Sequence, residues 1–522
     1  MLLAGSLAAI APPGQFILAS WIFERLMGAV YLVAFISFAV QIKGLAGRNG
    51  VMPATKVLDG ASSVRGIRRF LLFPTLCWWS ASDNFLLGLC CGGAGLSVLC
   101  LLGIAPVPVS LLLWMFYLSL LTVCPLFLGY QWDILLLEAG FLTIFISPWK
   151  WWVGWPADAA PPSIVLLLLW LLVFRLMFLS GWMKLLSGEA AWRSRKALLY
   201  HYETQPLPNR LSWHAHHLPC WFHKVSVAVM FAIELGAPLL IFATPPWRYL
   251  AGGAIVGLML LISATGSYGF FNLLTIVLCV PLMDDSIWRG VLGVAGVASS
   301  HTLPRPSGWP EWWLWLVAAV ILLLTVEQFT DLFWPRIRLP SVFQKFSGRL
   351  RPFMFVNRYG LFAVMTTRRL EIIVEGSNDG LTWRPYEFKW KPGDARRVPG
   401  HPAPHQPRLD WQMWFAALSP LHEHPWLVDF MFRLLQGQPA VLSLLRHNPF
   451  PDAPPRYVRA QLFDYHFTDR ATRRATGAWW RRSWVGLYCP PMALEANSSR
   501  ADAVTITAGQ NSAPAAAPGS GR

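Results

Sequence analysis

The stretch "IVLLLLWLLVFRLMFLSGW", residues 164–182, contains one charged side chain, Arg175, among apolar and small residues. A helix needs about 20 consecutive apolar residues to cross a hydrocarbon layer of about 30 Å. The stretch therefore predicts a transmembrane helix. The composition agrees, because 55% of the 522 residues are hydrophobic and only 13% are charged. The sequence predicts a multi-pass membrane protein.

Nine apolar runs along the chain are candidate spans. They lie at residues 21–42, 85–104, 107–128, 134–147, 164–183, 225–243, 250–264, 270–283 and 312–329. The fourth and the eighth runs are shorter than a full crossing needs, so we expect them to be re-entrant or tilted. The prediction is a membrane domain of eight or nine helices that occupies residues 1–335.

The composition changes after residue 335. Residues 368–394 alternate strand-forming residues around "SNDG", whose Asp-Gly pair is a strong hairpin signal. A second strand-rich segment covers residues 454–469, and two segments with helical spacing lie between them. We expect residues 336–494 to form a β-rich α+β extramembrane domain of sandwich type. The small and polar tail, residues 495–522, is expected to be disordered.

A dense polar passage, "YHYETQPLPNRLSWHAHHLPCWFHK" at residues 200–224, interrupts the apolar runs. It contains five of the 12 histidines. Its prolines oppose helix formation, so an irregular but ordered loop is predicted across residues 184–224. We expect the loop to fold back on the helices as a cap, with its histidines and glutamate directed inward. The inward-facing residues would be His201, Glu203, His214 and His217.

The "HAHH" motif at residues 214–217 also fits a metal-site hypothesis, with His214, His217 and either Glu203 or His201 as ligands. Zinc needs three or four convergent ligands, and this spacing matches no closed pattern. Proton transfer or hydrogen bonding is favoured for these histidines instead. We expect neither a metal nor a cofactor. The basic segments carry no nucleic-acid-binding pattern, so nucleic acid is excluded as a partner.

Ionisable residues inside apolar runs are functional candidates, because an unpaired charge in the membrane is costly. Asp133 and Glu138 begin the fourth run, and Arg175 or Lys184 could pair with either. A structural role is favoured for Asp133, whereas Glu138 fits a structural or a catalytic role equally. The candidate catalytic residues are Glu138, Arg175, Lys184, His201, Glu203, His214 and His217.

Lysines and arginines predict an orientation for the membrane domain. Six lie in residues 43–70 and six in residues 184–224, whereas the loops between hold almost none. With nine crossings, both basic segments and the C-terminal region share one side of the membrane. The positive-inside rule assigns that side to the cytoplasm.

Long sequence blocks resemble the lipase maturation factor family, in family order from about residue 20 to 490. The blocks are "QWDILLLEAGFL" (131–142), "FRLMFLSGWMKLLSGEAAWR" (174–193), "LLYHYETQPLPNRLSWHAHHLPCWFHK" (198–224), "ATGSYGFFNLLTIVLCVPLMDD" (264–285), "EGSNDGLTWRPYEFKWKPGD" (375–394), "PHQPRLDWQMWFAAL" (404–418) and "NPFPDAPPRYVRAQLFDYHFTD" (448–469). The resemblance implies a multi-pass protein of the endoplasmic reticulum membrane that assists the folding of secreted lipases. The short chain is similar to bacterial members, for which the plasma membrane would take that place.

The resemblance also implies that the histidine-rich segment and the C-terminal domain face the lumen, in conflict with the charge count. It implies a client protein, such as a secreted lipase, as partner. Candidate client-binding residues in the C-terminal blocks are Arg384, Trp390, Arg408 and Trp411. The family carries no catalytic assignment, yet it is distantly similar to vitamin K-dependent carboxylase. A membrane enzyme acting on a lipid or a peptide therefore stays the alternative.

Overall fold

A computed structural model describes residues 11–64, 66–155, 159–293, 305–494 and 504–506. The longer helices up to residue 333 are α1 (Ile17–Ala39), α2 (Asp83–Leu102), α3 (Pro106–Val123), α4 (Gln131–Ile146), α5 (Ser163–Leu186), α6 (Ala197–Thr204), α7 (Arg210–His216), α8 (Cys220–Leu240), α9 (Pro245–Thr265), α10 (Phe271–Leu282), α11 (Asp285–Leu292) and α12 (Glu311–Phe333). Short helices lie at Ile42–Ala46, Ala54–Gly60, Arg68–Leu72, Pro125–Leu128 and Ala190–Arg193.

Seven helices in the described part of the chain are long and apolar enough to cross a membrane: α1, α2, α3, α5, α8, α9 and α12. The pair α10 and α11 bends by 115° and would make an eighth. The helix α4 has 16 residues and almost all of them are buried, so it lies inside the bundle. The fourth run of the sequence is the regular helix α4, and the eighth run is part of the bent pair α10 and α11.

Contacts between the loops show which loops lie together at each end of the helical bundle. At the first end, Ala159 and Ala160 pair with Arg305 and Pro306 as two short parallel strands, β1 (Ala159–Ala160) and β2 (Arg305–Pro306). The backbone N–H of Val153 also donates to Gly103 O. This end thus gathers the α2–α3 and α4–α5 connections with the segment before α12.

The second end gathers the polar segments and the C-terminal domain. Lys56 pairs with Asp429 at 3.0 Å, and the indole of Trp213 donates to Thr468 O. Asn209 donates to Ala264 O at the end of α9. The first basic segment, the histidine-rich segment and the C-terminal domain therefore share one side, as the charge count predicted.

The C-terminal domain is an antiparallel sheet flanked by helices. Its strands are β3 (Arg369–Ser377), β4 (Arg384–Pro385), β5 (Glu387–Phe388), β6 (Leu445–His447), β7 (Tyr457–Phe467), β8 (Trp480–Leu494) and β9 (Val504–Ile506). The main sheet has the order β4-β3-β7-β8-β9, and β5 pairs with β6 as a separate ribbon. The helices are α13 (Ser341–Leu350), α14 (Arg408–Ala416), α15 (Pro425–Leu435), the short Pro439–Leu442 and α16 (Arg470–Thr476). A helical membrane domain followed by a β-rich domain is confirmed.

The predicted hairpin is present at "SNDG". Gly376 pairs with Arg384, and the Asp379 carboxylate accepts bonds from the N–H groups of Leu381 and Thr382. These bonds hold the pKa of Asp379 well below its usual range. Gly380 adopts φ 74°, a conformation that favours glycine. Most of the predicted disordered tail lies outside the described residues, and Val504–Ile506 pair with the end of β8.

The histidine-rich segment is more regular than its prolines suggested. The prediction of an irregular loop is wrong, because α6 and α7 occupy much of it. Pro206 and Pro208 lie in the break between the two helices, where they remove no intrahelical hydrogen bond. Asn209 then caps α7, because its side chain accepts from Ser212 N at 2.9 Å.

Candidate functional site

The C-terminal domain is fastened to the helical bundle by a fully buried ion pair. Arg408 at the start of α14 reaches Asp133 on α4, with Nη1–Oδ2 and Nη2–Oδ1 distances of 2.5 and 2.8 Å. Tyr117 on α3 donates to the same carboxylate at 2.5 Å. Arg408 also donates to Phe127 O and, through its backbone N–H, to Gln41 Oε1. One arginine thus joins four elements of the two domains.

A second buried tie involves Glu138, one turn and a half further along α4. Its carboxylate pairs with Arg175 on α5. It also accepts bonds from Tyr359 Oη at 2.6 Å and from Asn357 N at 3.1 Å. Both donor groups lie in the segment that follows α13. Glu138 therefore ties this segment to the interior of the bundle.

Lys184 belongs to a third set of partners. Its ammonium lies 2.8 Å from both carboxylate oxygens of Glu234 and 5.5 Å from the ring centre of Trp192. Glu234 lies in a π-helical turn, Ala232–Gly236, inside α8. Sequence reasoning missed Glu234, although an acid inside the apolar run 225–243 is itself a signal of a buried partner.

His201 forms a hydrogen-bonded group with neutral partners. Its Nε2 lies 3.0 Å from Tyr268 Oη, which donates to Gln205 Oε1 at 2.8 Å. Burial, and then the nearby Lys184 charge, lower the pKa of His201 to about 4. The imidazole is therefore neutral at pH 7 and acts here as a hydrogen-bonding group.

Glu203 holds the end of β7 against α6. Its carboxylate accepts from Phe467 N at 2.7 Å and lies 3.0 Å from His466 Nδ1. The carbonyl oxygens of Glu203 and Gln205 accept from the buried guanidinium of Arg369 on β3. Glu203 is directed inward, as expected. Its partners are residues of the C-terminal domain, which the sequence did not predict.

His214 and His217 take different positions from those expected. His214 is exposed, so its predicted inward direction is wrong. His217 is half-buried, and its Nδ1 lies 2.7 Å from Trp213 O in the preceding turn. His214 lies on the exposed face of α7, because Ser212 and Trp213 occupy its buried face, and His217 directly follows the helix.

Two of the four candidate client-binding residues are buried, and the other two are at least partly exposed. Arg408 and Trp411 are 0% and 1% exposed, so neither side chain can contact a client, and this part of the prediction is corrected. Both are core residues because α14 lies between the sheet and the bundle. Arg384 is exposed at the edge of the main sheet, and Trp390 is half-buried.

The candidate catalytic residues do not converge. Among the described residues, Glu138 and Arg175 form one set, Lys184 and Glu234 another, and His201 and Glu203 two more. Each set has partners of its own: Arg175 for Glu138, Glu234 for Lys184, Tyr268 for His201, and Phe467 N for Glu203. The chemistry that this arrangement supports is structural: charges and hydrogen bonds hold a β-rich domain on the end of a helical bundle.

Comparison with known proteins covers the chain in two parts. The family description "Lipase maturation factor transmembrane domain" matches residues 18–290, and "Lipase maturation factor C-terminal domain" matches residues 355–490. Lipase maturation factor 2 of Gallus gallus is 36% identical over 90% of this chain and 80% of its own length. Lipase maturation factor 2 of Homo sapiens is 34% identical, covering 91% and 82%. Lipase maturation factor 1 of Bos taurus is 32% identical, covering 92% and 90%. No solved structure matches the chain.

Proposed function

The chain belongs to the lipase maturation factor family, and from this membership we propose that it assists the folding and assembly of secreted lipases. It is an integral multi-pass membrane protein with a β-rich C-terminal domain. The observation that carries the proposal is the extent of the likeness, because both domains of the family match in order and a relative aligns over 90% of the chain.

The location and orientation are part of the proposal. We place the protein in the endoplasmic reticulum membrane, or in the plasma membrane of a bacterial host, with the C-terminal domain on the luminal or outer side. A secreted client folds on that side. The Lys/Arg count predicts the opposite orientation, with the C-terminal domain in the cytoplasm. Some of the counted residues form tertiary ion pairs, however: Lys56 pairs with Asp429 and Lys184 with Glu234. The positive-inside rule describes short loops next to spans and is a weaker guide to charges used in tertiary contacts.

The two domains have separate tasks in this proposal. Residues 1–335 anchor the protein, and residues 336–494 contact the client. The buried ties through Arg408, Asn357 and Tyr359 support this division, because they hold the C-terminal domain at a fixed place on the bundle. Arg384 at the exposed sheet edge and the half-buried Trp390 are the proposed client-contacting residues.

The test is client association in cells. The chain is co-expressed with a secreted dimeric lipase, and co-precipitation and secreted lipase activity are measured. R384E should reduce both while the level of the membrane protein stays unchanged. The matched control is R396E, another exposed arginine of the same domain. Deleting the whole C-terminal region is a poorer test, because it would also strip Asp133 and Glu138 of their partners.

Two results would count against the proposal. If lipase activity is unaffected when the chain is absent from cells that have no other family member, it is not a maturation factor for that lipase. If R384E and R396E behave alike, the client contacts another surface. The alternative of a membrane enzyme gains no support from the comparisons or from its candidate residues, which are divided among separate partner sets.

A further inference from the structure

A cationic cleft of about 540 Å³ opens between α7 and α16. It is lined by Trp213 and His214 from the histidine-rich segment and by three arginines from the connection between β7 and β8, Arg470, Arg473 and Arg474. None of these residues belongs to the buried ties described above. The cleft therefore needs a separate explanation.

The fold builds the cleft with a defined geometry. Trp213 donates to Thr468 O at 3.0 Å, which joins α7 to the end of β7. The guanidinium of Arg473 lies 4.6 Å from the ring centre of Trp213 and 3.5 Å from that of Trp479. The two indoles are nearly perpendicular, at 77°, and cation–π contacts with both rings hold the guanidinium at the cleft.

The positive charge of the cleft is not neutralised within the described chain. Arg470 and Arg474 are exposed, and no described carboxylate lies within ion-pair distance of either. The nearest acid in sequence, Asp469, is used to cap α16 through Thr472. Partial desolvation and then the surrounding arginines, Arg473 first, lower the pKa of the exposed His214. Clustered like charges that the fold holds together create a site for an anion.

The position of the cleft indicates where that anion comes from. The helix α7 ends at His216 and the membrane span α8 begins at Cys220, so three residues separate them and the four steps along the chain reach at most about 14 Å. At the start of α8, Trp221 and Phe222 are exposed, as aromatic residues at a membrane interface are. The polar headgroup layer is about 5–8 Å thick on each side of the hydrocarbon core. The α7 side of the cleft is therefore only a few residues from the start of a membrane span.

We propose that this cleft binds the phosphate of an anionic phospholipid headgroup and so docks the C-terminal domain on the membrane surface. Arginines suit this ligand because the planar guanidinium offers two parallel N–H donors to phosphate oxygens. Inorganic phosphate shares the chemistry and is the soluble probe for it. The proposal concerns a lipid and does not depend on the identity of the client.

The test uses the purified full chain in neutral detergent and follows thermal unfolding. Short-chain phosphatidylglycerol should raise the Tm at lower concentration than short-chain phosphatidylcholine, and millimolar inorganic phosphate should give a smaller rise. The variant R470Q/R474Q keeps Arg473 and its contacts with both indoles and should still fold. Its apparent affinity for phosphatidylglycerol should fall about tenfold or more, because each charge-assisted hydrogen bond to phosphate contributes about tenfold.

The control variant R396Q/R446Q removes two exposed arginines of the same domain outside the cleft and should bind as the original chain does. Native mass spectrometry of protein extracted from bilayers then counts retained phosphatidylglycerol in the three proteins. Equal retention by cleft and control variants overturns the proposal. A Tm rise with phosphate but none with phosphatidylglycerol overturns the lipid assignment. Lost lipase co-precipitation with unchanged lipid retention assigns the cleft to an acidic client segment and also overturns it.

Discussion

Removing the charge of Arg408 is the most direct test of how the two domains are joined. In R408M the Asp133 carboxylate stays buried among α3, α4 and α14, but it loses both guanidinium bonds and keeps only the Tyr117 hydroxyl. Methionine fills much of the arginine stem, so the main loss is electrostatic rather than steric. The variant therefore isolates the value of the buried pair.

The magnitude follows from the burial of both partners. The side chains of Arg408 and Asp133 are both 0% exposed. Leaving one charge of a buried pair without its partner costs about 3–5 kcal/mol. The entropy of unfolding grows with chain length, so for 522 residues 1 kcal/mol corresponds to about 1 °C, and the Tm of R408M should fall by about 3–5 °C. The control R384M changes an exposed arginine in the same way and should stay within about 1 °C.

The assay is thermal unfolding of the purified chain in detergent, monitored by size-exclusion chromatography. The double variant D133N/R408M should recover a large part of the loss, because a neutral amide is less costly to bury than an unpaired carboxylate. Two results would refute the reasoning: a Tm of R408M equal to that of R384M, or a double variant whose loss is the sum of the single losses.

Three further predictions rest on the other buried sets. E138Q should lower the Tm and speed proteolysis of the chain after α12, because Arg175 loses its counter-charge and the acceptor for Tyr359 is weakened; unchanged proteolysis would show that this tie is dispensable. E203A should lower the Tm by several degrees whereas R210A, at an exposed position, should not, and equal effects would remove Glu203 from the interface with β7. The folded state lowers the pKa of His201 to about 4, so its contribution to stability is present above pH 6.5 and is lost as the pH falls toward 4. H201Q should therefore show a shallower fall of Tm between pH 6.5 and 4 than the original chain, and parallel curves would contradict the assignment.

The sequence by itself determined the membrane helices and the C-terminal hairpin. Apolar runs such as residues 164–182 have a single stable environment, because their backbone groups must pair internally and their side chains must avoid water. The Asp-Gly turn at residues 379–380 is equally local, since its conformation depends on glycine and on bonds within four residues. Spacing and composition carry such features without any knowledge of distant contacts.

Only the tertiary structure decided which charges meet. Arg408 lies 275 residues from Asp133, and His466 lies 263 residues from Glu203. Nothing in the local sequence of Arg408 or His466 indicates these partners, and Arg408 and Trp411 were candidate client-binding residues only because they lie in the C-terminal blocks of the resemblance. Their burial follows from the packing of α14 between the sheet and the bundle, a relation between distant elements that no local pattern contains. The exposed position of His214 has the same cause. Trp213 faces the end of β7, where it donates to Thr468 O, and His214 is therefore on the solvent side of α7.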